Sequence, residues 1–130
     1  MDKISNLILL FCFGGLGTLS RFGLNHAFGI LATPSAPWGT TLINILGCFC
    51  FGAIAESFQL QEHWNIETRT LILTGFFGAF TTFSTYMYEM HDLLTKGSYL
   101  HAIIGFSLQN IVGFTALVLG ISVTRILFYH

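Results

Sequence analysis

Four apolar stretches, roughly residues 4–28, 38–58, 69–94 and 100–128, take up nearly all of this 130-residue chain. A hydrocarbon layer about 30 Å thick is crossed by about 20 helical residues, so each stretch is long enough to span one. Backbone groups in lipid must find partners within the spanning segment, which makes a helix the economical form for runs of this length. Short polar connections separate the stretches. The first contains Thr33, Pro34, Ser35 and Pro37; the second Gln59, Gln61, Glu62, His63, Trp64 and Asn65; the third Thr95, Lys96, Gly97 and Ser98. The expected fold is an all-α membrane protein with four transmembrane helices in one domain, residues 1–130, leaving no room for a soluble unit.

Composition removes the alternatives. Only 8% of residues are charged and 53% are hydrophobic, where a soluble domain carries roughly a quarter charged. A small globule cannot hide that much apolar surface. The net charge of -1, with five scattered Lys and Arg, excludes nucleic acid as a partner and offers no polybasic patch to a membrane surface. Cys12, Cys48 and Cys50 lie in apolar runs with no CxxC spacing, and read as small buried hydrophobes. Lys3 precedes an apolar run longer than a signal-peptide core, and no small-residue cleavage site comes after it. With four spans, Lys3, Arg69 and Arg125 fall on one side, Lys96 on the other and Arg21 near the latter. So slight a bias suits insertion in both orientations, and two opposed copies can pair as an inverted dimer.

Polar residues inside lipid are costly unless partnered or functional. Arg21 ends a glycine-rich segment, Gly14-Gly15-Leu16-Gly17-Thr18-Leu19-Ser20-Arg21, in which Gly14, Gly17 or Thr18, and Arg21 share a face. It is either an interfacial Arg behind a packing face or a cation at the mouth of an anion pathway. Thr41, Asn44 and Cys48 line one face of the second span, and Asn44 either joins helices by a hydrogen bond or donates to an anion. In the third span, Gly75-Phe76-Phe77-Gly78-Ala79-Phe80-Thr81-Thr82-Phe83-Ser84-Thr85-Tyr86 is poor material for an uninterrupted helix, so a mid-membrane break is expected. Freed carbonyls there can bind a cation and freed amides an anion. Phe83 and Tyr86 share a face, and the positive edges of their rings can meet an anion. Ser107, Asn110 and Phe114 succeed one another on the fourth span, while Gly113 and Gly120 mark close packing. Glu56, Glu89 and Asp92 read as charges near span ends. No HExxH or GxSxG pattern supports an enzyme.

Taken together these motifs resemble the Fluc (CrcB) family of fluoride channels. The resemblance covers the whole chain and rests on the segment ending Arg21-Phe22, on Gly39-Thr40-Thr41-Leu42-Ile43-Asn44 with Gly47 after it, and on Gly78-Ala79-Phe80-Thr81-Thr82-Phe83-Ser84-Thr85. It implies an antiparallel, dual-topology homodimer with two fluoride pores in the cell inner (plasma) membrane. It also implies a structural sodium ion held by the backbone carbonyls of Gly78 and Thr81. Asn44, Phe83 and Tyr86 then map to the pore, with Ser84 and Thr85 as neighbours and Arg21, Ser107 and Asn110 as further pore candidates. Two departures stand out: Tyr86 where the family usually has Phe, and Phe114 with Val118 where a hydroxyl track usually continues.

The function expected is passive export of fluoride down its electrochemical gradient, lowering cytoplasmic fluoride. The competing readings are a small dual-topology, proton-coupled multidrug exporter and a non-conducting membrane scaffold subunit. The exporter needs an embedded carboxylate, and the first span has none after Asp2.

Overall fold

The computed structural model describes residues 3–29, 38–61 and 63–129; the first polar connection, with Thr33, Pro34, Ser35 and Pro37, lies outside them, as does Glu62. The described residues build five helices. α1 is Lys3–Gly29 and α2 is Trp38–Leu60. α3 occupies residues 66–80, with an α-helical turn at Ile66–Thr70, a wider π-helical stretch at Leu71–Phe77 and a final turn at Gly78–Phe80. α4 is Phe83–Thr95. α5 runs Tyr99–Tyr129, again with a π-helical stretch, Leu108–Val112.

Three of these, α1, α2 and α5, are long and apolar enough to cross a membrane individually. The apolar stretch at 69–94 is divided instead. Thr81 (φ -88°, ψ 158°) and Thr82 (φ -149°, ψ 122°) are extended between α3 and α4, and neither flanking helix alone spans 30 Å at 1.5 Å per residue.

Local chemistry explains where the helices start and stop. Asn65 caps α3, its side-chain oxygen accepting from the N–H of Thr68 at 2.8 Å. The Thr82 side chain accepts from the N–H of Thr85 and so caps α4. At the far end of α4 the chain turns through Gly97, whose φ of 73° suits a residue without Cβ. There the N–H of Ser98 donates to Leu93 and that of Gly97 to Leu94, closing the carbonyls of the last turn.

Glycines decide how close the helices come. α2 packs along α5 at Gly52 and Gly120, where an added methyl would overlap the carbonyls of Leu117 and Phe49. α1 meets α3 at Gly17, where a methyl would overlap the carbonyl of Phe76. In lipid such contact replaces the hydrophobic drive that is missing between helices. Polar clasps join the same seam: Thr124 donates to the carbonyl of Ala53 at 3.1 Å, and Arg125 meets the buried Glu56 at 2.7 Å.

The interior is small. One apolar group holds Ile43, Phe77 and Phe80, and a second holds Tyr86, Met90, Leu93 and Ala102. Outside them, large apolar side chains such as Phe11, Leu19, Phe22, Ile111, Phe114 and Leu127 are exposed. A chain presenting that surface is a multi-pass membrane protein, whose outer face meets lipid or another membrane-embedded surface.

Candidate functional site

The two extended residues are the key to the site. A break leaves backbone groups without helical partners, and at Thr82 a single side chain engages both the N–H and the carbonyl. Asn44 of α2 donates through Nδ2 to the carbonyl of Thr82 at 2.9 Å, and its Oδ1 accepts from the N–H of Thr82 at 2.9 Å. The carboxamide thus takes the place of a neighbouring strand. Asn44 is buried, with Gly47 one turn on leaving room for the Thr81 side chain. One N–H of the Asn44 amide has no partner in this pairing.

Around the break the hydroxyls are ordered. Thr81 donates both its N–H (3.0 Å) and its hydroxyl (2.9 Å) to the carbonyl of Phe77. The Thr82 hydroxyl donates to that of Thr85 at 3.0 Å. Among the described residues no hydrogen bond reaches the carbonyl oxygens of Gly78 and Thr81. An added methyl at Gly78 would meet open space. Free carbonyl oxygens are hard donors, of the kind that could hold a sodium ion.

A cavity of about 210 Å³ lies against Thr82, lined also by Arg21 and Asn25 of α1, Thr40 of α2 and Thr85. Arg21 makes no ion pair among the described residues, so its charge is available to an anion in the cavity. Thr40, buried in the wall, donates its hydroxyl to Oε1 of Glu89 at 2.6 Å.

Arg21 and Thr85 therefore share one cavity, and Asn44 reaches its wall through Thr82. Ser84 lies on the exposed first turn of α4. Phe83 and Tyr86 are neighbours, with ring centroids 6.2 Å apart at 52°, but they face different surroundings. Phe83 is 68% exposed, whereas Tyr86 is 0% exposed and stacks on Phe106 of α5. Ser107 is half-buried, and Asn110 folds back to donate to the carbonyl of Phe106 at 2.7 Å. Neither lines the Arg21 cavity. At the substituted end of the fourth span Phe114 is exposed, and Thr115 donates to its own helix at Ile111.

Sequence reasoning missed three polar participants: Thr40, Thr82 and Glu89. Capping held the signal for one of them, since a Thr three residues before Thr85 in a broken segment is a natural N-cap. From that register Thr82, Thr85 and Glu89 recur on one face of α4.

Known proteins match the chain along most of its length. Residues 8–121 match the family model described as CrcB-like protein, Camphor Resistance (CrcB). The protein from Solidesulfovibrio magneticus named fluoride-specific ion channel FluC is 40% identical over 114 residues, covering 88% of this chain and 91% of that relative. Its namesake in Nitrosococcus oceani has the same identity and coverage. The one from Nitratidesulfovibrio vulgaris is 35% identical over 123 residues, 95% of this chain and 99% of its own length.

Proposed function

This chain belongs to the CrcB family, and from that premise we propose that it is a fluoride-specific channel, not an enzyme, letting fluoride leave the cytoplasm down its electrochemical gradient. The observation that carries the reading is the Arg21 cavity standing directly against the extended Thr82 that Asn44 holds. A fixed positive charge gathers anions from water. Beyond it, hydroxyls, a spare amide N–H and ring edges offer closely spaced positive dipoles to a small ion losing its water. Fluoride is small enough for such spacing, and narrowness excludes chloride. A potential negative inside drives an anion outward by about 2.3 kcal/mol per 100 mV.

The pore residues in this proposal are Arg21, Asn44, Phe83, Ser84, Thr85 and Tyr86, with Ser107 and Asn110 from α5. α3 and α4 together form the remaining membrane crossing, broken at Thr81 and Thr82. Two copies assemble antiparallel in the inner (plasma) membrane, each inserted in the opposite orientation. The charge balance of the polar ends supports this, and so does the exposure of Phe83, which a partner would cover. The assembly also suits sodium. One protomer offers the carbonyls of Gly78 and Thr81, too few for a hard cation; a twofold-related copy doubles the set.

The deciding experiment is efflux from liposomes containing the purified protein, monitored with a fluoride electrode in the presence of potassium and valinomycin, beside a matched chloride experiment. Rapid fluoride release without chloride release is expected. Absence of fluoride release from folded dimers would overturn the reading in favour of a scaffold subunit.

A further inference from the structure

Tyr86 is fully buried, yet its hydroxyl proton has no acceptor among the described residues. Burying a donor without an acceptor is unfavourable, so such a group calls for a physical explanation. The neighbouring polar side chain is Asn110. Its amide nitrogen already donates to the carbonyl of Phe106 at 2.7 Å, and an amide nitrogen has no lone pair with which to take the phenolic proton. The ring itself packs in an apolar group with Met90, Leu93 and Ala102, and Phe106 is stacked on it. The hydroxyl is thus a donor held at the seam of α4 and α5, one helical turn from Phe83, and the acceptor it lacks is the complement of a dehydrated anion.

Resting on the channel reading, we propose that the Tyr86 hydroxyl donates a hydrogen bond to fluoride in transit, adding to the ring edges a directional contact that a phenyl group lacks. Fluoride is the acceptor best matched to a single buried O–H, because it is compact and accepts strong hydrogen bonds; chloride is larger and gains less from the same donor. The hydroxyl therefore raises occupancy of the pore at low fluoride and sharpens the choice between the two halides.

The variant Tyr86→Phe removes one oxygen and keeps the ring. Initial fluoride efflux from liposomes is measured over a series of internal fluoride concentrations for wild type and Y86F, each checked for dimer by size exclusion. The expected result is that the half-saturating fluoride concentration rises about tenfold in Y86F, as loss of a hydrogen bond to a charged partner implies. As a second readout, sodium fluoride at fixed ionic strength raises the melting temperature of wild type more than that of Y86F. If the half-saturating concentration and the fluoride-induced shift are the same in both proteins, the hydroxyl binds only water or Asn110 and the proposal is overturned. Wild type that releases no fluoride removes the channel reading itself, and the proposal falls with it.

Discussion

The Asn44 carboxamide forms two hydrogen bonds, each 2.9 Å, with the backbone of Thr82, 38 residues along the chain. One side chain thereby binds both backbone groups of Thr82, at the break between α3 and α4. Replacing Asn44 by Ala leaves that N–H unsatisfied, at about 1–3 kcal/mol, and takes from the Thr82 carbonyl its partner on α2. N44A is expected to melt well below wild type in detergent and to lose fluoride flux. Asn44→Asp separates position from donation. Its carboxylate still accepts from the N–H of Thr82 but opposes the carbonyl, so N44D is expected to keep the dimer and lose flux; unchanged flux would remove Asn44 from the pore.

Arg21 brings a full charge to a cavity otherwise lined by amide, hydroxyl and apolar groups. If it gathers anions, Arg21→Ala lowers fluoride efflux by about tenfold at low ionic strength, and Arg21→Lys restores part of it. Added impermeant salt shrinks the difference, since screening sets in over about 10 Å at 0.1 M. Efflux assays at two ionic strengths test this. Equal rates in wild type and R21A at low salt would make Arg21 an interfacial anchor.

How much of this was written in the sequence depends on the range of the interaction. Membrane helices announce themselves by length and hydropathy, so α1, α2 and α5 lie within a few residues of the apolar stretches that foretold them. The interruption at Thr81 and Thr82 reflects local chemistry, with glycines and hydroxyls weakening the helix and Thr82 able to cap α4. What no local pattern could reveal is which distant group completes the break. Asn44 stood out as a polar residue in an apolar run, but its partner is backbone, which carries no sequence signature. Glu89 read as an end charge because nothing near it in sequence points to Thr40, 49 residues away. Phe83 and Tyr86 share a face by spacing, but three residues turn a helix by about 300°. The remaining angle, about 60°, is enough for one ring to look outward and the other into α5.

Helix contact at glycine offers a test of the packing alone. At Gly120 a methyl would overlap the carbonyl of Phe49, while at Gly15 it would meet open space. Gly120→Ala must push α5 from α2, and overpacking of this kind costs about 1–3 kcal/mol. Gly15→Ala adds only the better helix propensity of Ala, worth up to about 1 kcal/mol. Melting in detergent is expected to fall for G120A and to hold or rise slightly for G15A. The opposite order would mean that α2 and α5 do not pack at this register.

Sodium removal separates the role of the break from that of the cavity. The carbonyls of Gly78 and Thr81 are free of hydrogen bonds among the described residues, and a pair of opposed copies would bring four such oxygens together. An ion there would be structural, holding the two breaks against each other while taking no part in selecting fluoride. Exhaustive replacement of sodium by a large organic cation is therefore expected to weaken the dimer and to lower flux in parallel, without admitting chloride. Dimer fraction by crosslinking and fluoride efflux, measured on the same preparation as sodium is restored, should recover over the same concentration range. Full flux and full dimer stability after complete removal would discard the shared site, and leave the free carbonyls of the break to water.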